Sequence, residues 1–196
     1  MRLPRPLILC CALLALAIAP AAARAAGADG GAGSDGGAGF GAPVMWSTLA
    51  HPTVPGVEAK IIHGVAFAPA YAPPAVKKAI WAGDRIRTKP YVLGGGHGQW
   101  KSSGYDCSGT VSFVLHAAGL LRTSEDSGGF ESWGRRGLGQ WITVYTNPAH
   151  AFVEIAGIRM DTSAEDDPNP APGSGPRWRP IMHRTRGFVA RHPADF

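Results

Sequence analysis

A single cysteine stands where the sequence changes from polar and glycine residues to a helical apolar pattern. Cys107 lies in the run 104–109 (GYDCSG), and Val111, Val114 and Leu115 follow at spacings that place them on one face of a helix. Backbone N–H groups at a helix start have no intrahelical partner and the helix dipole favours an anion there, so a thiol at this point loses its proton more easily. The pattern predicts a nucleophilic thiolate; the alternative is a buried, unreactive cysteine.

Two further side chains are spaced to act on this thiol. Asn147-Pro148 predicts a turn, His150 begins an apolar strand, and Asp161 ends the next strand after a tight turn at Gly157. If the two strands pair as a hairpin, His150 and Asp161 lie at the same open end. An imidazole beside a thiol can take its proton, and a carboxylate on the other ring nitrogen can hold the tautomer. Singly, each residue has a purely structural explanation, but together they favour a Cys-His-Asp catalytic set.

The elements that must position these residues predict an α+β fold. Pro73-Pro74 suits the start of a first helix, in which Gly83 allows close contact with another element. A glycine-rich loop at 94–98 follows, and we interpret its His97 as a loop histidine rather than a ligand. Strands are predicted at 141–145, 151–156, 158–161 and 187–191. Helices followed by successive short strands indicate helices packed on an antiparallel sheet.

The N-terminus has the pattern of an export signal. Arg2 and Arg5 precede an apolar run at 7–19, and Ala23-Arg24-Ala25 offers small residues at a signal-peptidase spacing. A retained membrane anchor needs about 20 apolar residues, and this run is shorter. We therefore expect a signal peptide at 1–25 and no stable membrane insertion after its cleavage. Cleavage removes two of the three cysteines, which leaves Cys107 without an intramolecular disulfide partner.

Composition divides the rest of the chain into three parts. Residues 26–42 are almost entirely glycine, alanine and aspartate, which predicts a flexible tether. Residues 43–73 mix apolar residues with prolines and are expected to form an irregular arm, and residues 74–196 suffice for one domain with a core. No second membrane segment is predicted.

The charged residues argue against a nucleic-acid partner and against a metal site in the acidic run. The mature chain retains 16 basic and 14 acidic residues, which is no basic footprint for nucleic acid. We interpret the acidic run 165–167 as solvated charge rather than a metal site. No metal and no cofactor is expected, and the domain is expected to be a monomer.

The motifs resemble those of a known peptidase family. Pro90-Tyr91-x-x-Gly94-Gly95, then Asp106-Cys107-Ser108-Gly109-x-Val111, then His150 opening an apolar strand, are similar to the NlpC-like family of papain-fold cell-wall cysteine peptidases. The resemblance spans residues 74–196. It implies a secreted enzyme that hydrolyses peptide bonds in peptidoglycan stems, often between D-glutamate and a diamino acid.

The resemblance also assigns roles to individual residues. Cys107 is implied to be the nucleophile, His150 the general base and later acid, and Asp161 the residue that orients His150. Tyr91 is implied to border the nucleophile, while Asp106 and Ser108 are implied to hold the polar end of a peptide substrate.

The sequence departs from the family pattern at two positions. Ala149 stands where glycine is frequent, and Asp161 stands where histidine, asparagine or glutamine is frequent, with Thr162 as a competitor for the third place. Two other classes stay open: an amidase or acyltransferase with the same thiol and base, and a non-catalytic wall-binding module.

Overall fold

The structure, a computed structural model, describes residues 51–196. The predicted signal peptide at 1–25, the tether at 26–42 and the first part of the arm lie outside the described residues. Those interpretations therefore stay predictions.

Nine strands and three helices are formed within the described residues. They are β1 (Thr53–Val54), β2 (Lys60–Ile62), β3 (Val65–Pro69), α1 (Pro74–Ile86), α2 (Cys107–Ala117), α3 (Ser127–Phe130), β4 (Arg135–Arg136), β5 (Ile142–Asn147), β6 (His150–Ile155), β7 (Ile158–Asp161), β8 (Arg177–Arg179) and β9 (Val189–His192). The predicted first helix, the Cys107 helix and all four predicted strands are present, within two residues at their ends.

The main sheet is antiparallel and has the strand order β4-β9-β5-β6-β7-β8. Val144 pairs with Val153, and Val153 pairs with Met160, so three buried side chains line the same face of the central strands. These side chains belong to the hydrophobic core formed with α1 and α2. The α+β prediction, helices packed against an antiparallel sheet, is confirmed.

A close contact between α1 and the sheet explains the glycine in the first helix. A methyl group at Gly83 would overlap the side chains of Trp178 on β8 and Met160 on β7. Glycine in a helix interior costs about 1 kcal/mol relative to alanine, and here the missing side chain lets the helix approach the sheet. The prediction of a close approach at Gly83 is confirmed.

The part of the arm within the described residues is more regular than expected. Strands β1, β2 and β3 form a small sheet in the order β1-β3-β2, with β1 parallel and β2 antiparallel to β3. Trp81 Nε1 on α1 donates to Pro52 O at 3.0 Å, and Ala59 N donates to Ala156 O at 2.8 Å. Within residues 51–73 this corrects the expectation of an irregular arm: Pro52, Pro55 and Pro69 lie in or beside short strands that are held by the domain.

The acidic run after β7 is paired rather than simply solvated. Asp167 Oδ2 accepts from Arg179 Nη1 at 2.7 Å, and Arg179 is almost fully buried. Asp166 accepts from the exposed Arg184. The two aspartates therefore hold the loop that follows β7 against the sheet and the segment after β8.

Within residues 51–196, no helix has the length and apolar character that crossing a membrane requires.

Candidate active site

Cys107 is the first residue of α2, as predicted. The helix is capped by Asp106, whose Oδ1 accepts from Gly109 N at 2.7 Å and whose backbone oxygen accepts from Thr110 Oγ1 at 2.7 Å. An aspartate is among the best caps because its carboxylate satisfies a backbone N–H that has no helical partner. The cap fixes the first turn of α2 and with it the position of the thiol, which is partly buried.

The glycine-rich loop packs directly against this helix start. Gly94 N donates to Asp106 Oδ2 at 2.9 Å, and Asp106 N donates to Gly95 O at 3.1 Å. A side chain at Gly109 would overlap Gly95 O, and one at Gly96 would crowd Tyr105 and the backbone of Gly109, so the loop and the helix each need a glycine where they cross. One buried carboxylate thus holds both the helix and the loop.

His150 is placed by the turn that precedes it. Asn147 Oδ1 accepts from Ala149 N and His150 N, both at 2.9 Å, which closes a side-chain turn between β5 and β6. Ser127 Oγ at the start of α3 donates to Pro148 O at 3.1 Å. His150, the first residue of β6, is therefore positioned by a turn that Asn147 and Ser127 both hold by hydrogen bonds.

The three predicted catalytic residues are brought together. His150 Nε2 lies 2.9 Å from Asp161 Oδ1, and the imidazole also hydrogen-bonds the thiol of Cys107. Because Nε2 faces Asp161, the nitrogen left for the thiol is Nδ1. The Asp161 carboxylate also accepts from Ser163 N at 2.8 Å, which fixes it in place. Thr162, the competitor for the third position, has no such contact with His150 among those described.

The electrostatics favour a charged thiolate–imidazolium pair. Burial alone would raise the pKa of Cys107, but hydrogen bonds from His150 and from Ala151 N, together with the charge of His150, outweigh it and lower the pKa. Burial alone would lower the pKa of His150, but Asp161 and the thiol raise that pKa to about 9. Opposite shifts on adjacent groups are the arrangement that activates a sulfur nucleophile near neutral pH.

A buried arginine lies behind the aspartate. Arg159 and Asp161 are both essentially inaccessible to solvent, and Arg159 Nη1 lies 3.4 Å from Asp161 Oδ2. The same guanidinium donates to Glu165 O and lies over the ring of Phe152, 5.6 Å from its centroid. One carboxylate oxygen therefore faces the imidazole while the other faces a fixed positive charge. Sequence patterns did not single out Arg159, because an arginine alternating with apolar residues is typical of an exposed strand face.

Two phenylalanines enclose the imidazole. Phe188 lies edge-on to His150 with 6.3 Å between centroids, and Phe152 lies at the same distance in a tilted orientation. These rings limit the access of water to the ion pair, which strengthens its electrostatics. Phe188 falls within the strand predicted at 187–191 but was not predicted as a site residue; it lies directly before β9, and only the folded sheet brings it to His150.

The three predicted substrate-binding residues lie around the thiol in different settings. The phenol of Tyr91 is partly exposed, and its pKa is raised by burial and by the neighbouring charges of Cys107 and Asp106. Asp106 and Ser108 are buried and both contact His97, at 3.1 Å and 3.2 Å from its Nε2. The phenol of Tyr91 is therefore close enough to feel the charges of Cys107 and Asp106. Direct contact of Tyr91, Asp106 or Ser108 with a substrate stays a prediction. His97, interpreted as a loop histidine, covers both residues and belongs to the site.

No protein-family model matches the chain, and no curated protein sequence matches it. Within residues 51–196 there is also no cluster of three or more side chains suited to hold a metal ion. The arrangement of Cys107, His150 and Asp161 could supply a thiol nucleophile, a group that takes and gives a proton, and a carboxylate that orients it.

Proposed function

We propose that this chain is an exported cysteine peptidase of the papain-like, NlpC-like type that hydrolyses peptide bonds in peptidoglycan stem peptides. The observation that carries the proposal is the contact chain from Cys107 through His150 to Asp161, with a lowered thiol pKa and a raised imidazole pKa. A merely buried cysteine has neither a base nor an oriented carboxylate beside it.

The mechanism follows from which atoms face one another. The Cys107 thiolate attacks the carbonyl carbon of the scissile bond, and the oxygen of that carbonyl becomes an oxyanion. The backbone N–H of Cys107, at the helix start, is a natural donor to it. The His150 imidazolium then gives its proton to the leaving amine, which departs and leaves a thioester on Cys107.

The second half of the reaction uses the same groups in reverse. Neutral His150 takes a proton from water, the resulting hydroxide attacks the thioester carbonyl, and the acid product leaves as Cys107 regains its sulfur anion. Asp161 accepts from His150 Nε2 throughout, which holds Nδ1 toward the sulfur. Phe152 and Phe188 restrict the water that reaches the imidazole.

The choice of peptidoglycan as the substrate is supported by sequence motifs rather than by the geometry of Cys107, His150 and Asp161. The motif around Cys107, the upstream Tyr91 and glycine loop, and an N-terminal export signal all favour a cell-envelope substrate. The partial exposure of Tyr91 and the influence of the Cys107 charge on its phenol support a role in contacting a short peptide. The second candidate, an amidase or acyltransferase on the same fold, is favoured by the same Cys107 and His150.

Digestion of isolated peptidoglycan and of soluble muropeptides, followed by mass analysis, tests the proposal. A peptidase cuts within the stem and leaves the glycan intact, with one new free amine and one new carboxylate per event. Cys107→Ala is the inactive control, since it removes only the sulfur. Release of the whole stem from the sugar would assign an amidase, and acyl transfer without net hydrolysis would assign a transferase. Wall retention without products for both proteins would leave a binding module.

A further inference from the structure

A second concave surface lies between the end of α1, the segment 100–105 and the C-terminal half of α2. We name it the basic-aromatic pocket; its cationic and aromatic lining includes Arg85, Lys89, Trp100, Lys101, Phe113 and His116. Its volume is about 440 Å³, which is within the range of small-molecule sites. Cys107, His150 and Asp161 do not line it, so it is separate from the candidate active site.

The aromatic wall of the pocket is held in place before any ligand arrives. The Trp100 and His116 rings are stacked with 3.7 Å between centroids and 5° between planes. His116 Nδ1 lies 3.0 Å from Leu121 O, and the Tyr105 hydroxyl donates to Trp100 O at 2.7 Å. Side chains fixed in this way lose little conformational freedom when a ligand binds, which favours affinity.

The charges around the pocket have one sign. Arg85, Lys89 and Lys101 are all cationic, and none of the described residues that line the pocket is acidic. The Arg85 guanidinium lies 5.3 Å from the centroid of the Phe113 ring, so a positive charge sits directly above the apolar floor. A ligand that reaches the floor with an apolar group meets cations at its other end.

We propose that the basic-aromatic pocket binds a small amphipathic anion. Its apolar or aromatic body packs against Phe113 and the Trp100–His116 stack, and its carboxylate, sulfonate or phosphate group lies among Arg85, Lys89 and Lys101. An inorganic anion alone leaves the aromatic surface uncovered, and a neutral apolar molecule leaves the cations unpaired. Both parts of the ligand are therefore required.

A pair of fluorescent probes with the same ring system tests this directly. Anilinonaphthalene sulfonate carries the anion, and phenylnaphthylamine lacks it. Both are titrated into the full mature chain, and the indole resonance of Trp100 is followed by NMR. We expect the sulfonate to bind saturably at one site and to shift that resonance. The neutral probe should bind at least about tenfold more weakly, and salt should lower the affinity for the sulfonate.

Charge reversal identifies the residues responsible. The double variant Lys89→Glu/Lys101→Glu is expected to bind the sulfonate roughly tenfold or more weakly while its affinity for the neutral probe stays the same. Lys60→Glu/Lys78→Glu is the matched control, because it changes the net charge equally at exposed positions outside the pocket. Trp100→Ala removes the aromatic wall and is expected to weaken both probes.

Three results would overturn the proposal: equal affinity for the two probes, an equal loss in the two double variants, or no perturbation of Trp100 in the wild-type chain. The last of these is read without any variant, so the proposal stays testable if a substitution impairs folding.

Discussion

His150 Nε2 lies 2.9 Å from Asp161 Oδ1, across a hairpin whose turn is at Ala156 and Gly157. The register of β6 and β7, with Val153 opposite Met160, brings the start of one strand beside the end of the other. The contact uses the ring nitrogen that does not serve the thiol. The hairpin therefore both selects the tautomer of His150 and aims Nδ1 at Cys107.

The shifted pKa values predict a bell-shaped dependence of kcat/KM on pH. Activity rises as pH rises through the lowered pKa of Cys107, because the thiolate forms, and falls near pH 9 as His150 loses its proton. The alkylation rate of Cys107 should show substantial thiolate well below the ordinary thiol pKa of about 8.5. Because Cys107 and His150 titrate as a coupled pair, the pKa values read from the two limbs of the pH profile belong to the pair rather than to either residue.

His150→Ala provides the control for that titration. Burial raises the pKa of Cys107, and without the imidazole less remains to oppose that rise. The alkylation profile should therefore move to higher pH. A wild-type thiol that titrates like a free cysteine would contradict the proposed ion pair.

Substitution of Asp161 should separate orientation from charge. Asp161→Asn keeps an oxygen that accepts from His150 Nε2, so much of kcat should remain, but the lost negative charge should lower the pKa of the alkaline limb. Asp161→Ala loses the acceptor as well, and kcat should fall by roughly a hundredfold with a smaller change in KM. Steady-state kinetics across pH measures both effects. An alanine variant with wild-type kcat would show that another residue orients His150.

Arg159 should act on catalysis through Asp161. Arg159→Met fills a similar volume but leaves the buried Oδ2 of Asp161 facing no cation, so kcat should fall more than KM changes. Arg159→Lys restores a positive charge near Asp161 Oδ2 and should recover part of kcat, although it loses the geometry of the Glu165 contact. Kinetics and thermal unfolding are measured together on both variants.

Arg179 offers the matched control for that comparison. It is equally buried and pairs with Asp167 rather than Asp161. Arg179→Met should lower the melting temperature yet leave the kcat of the folded protein unchanged. If the Arg159 and Arg179 variants lose stability alike and neither changes kcat, Arg159 has only a structural role.

The sequence predicted the parts of the fold and site that rest on local patterns. The helical spacing after Cys107, the turn at Asn147-Pro148 and the tight turn at Gly157 each predicted an element that the structure contains. Because side chains in a hairpin are set by register, counting residues placed His150 and Asp161 at the same end of the hairpin, but it left Thr162 as a competitor for the contact.

The parts that were missed depend on partners distant in sequence. Strand β8 is short and follows a loop rich in proline and glycine, and it forms because Met160 pairs with Trp178. Arg159 is buried among partners that include Phe152 of β6, Arg179 of β8 and Glu165 O in the loop after β7. Phe188 reaches His150 from beyond that loop. Local patterns contain no information on such pairings.

Asp84 on α1 predicts a pH-dependent stability apart from catalysis. Burial raises the pKa of Asp84 to about 6, although hydrogen bonds from Ala66 N and Trp178 Nε1, each 2.9 Å, oppose the rise. Its Oδ2 atom is buried without a partner. The folded chain then binds a proton more tightly than the unfolded chain, for which the pKa is 3.8. The contribution of Asp84 to the free energy of unfolding should therefore fall as pH rises from 3.8 to about 6.

Asp84→Asn should remove that dependence. The asparagine oxygen can still accept from Ala66 N and Trp178 Nε1, while no charge has to be buried at neutral pH. The variant should be more stable than wild type at neutral pH, by at most about 3 kcal/mol, and the two should converge toward acidic pH. Urea unfolding over a pH series measures the difference, with Glu58→Gln as the control for loss of an exposed carboxylate. A constant difference between Asp84→Asn and wild type at every pH would mean that Asp84 does not titrate in this range.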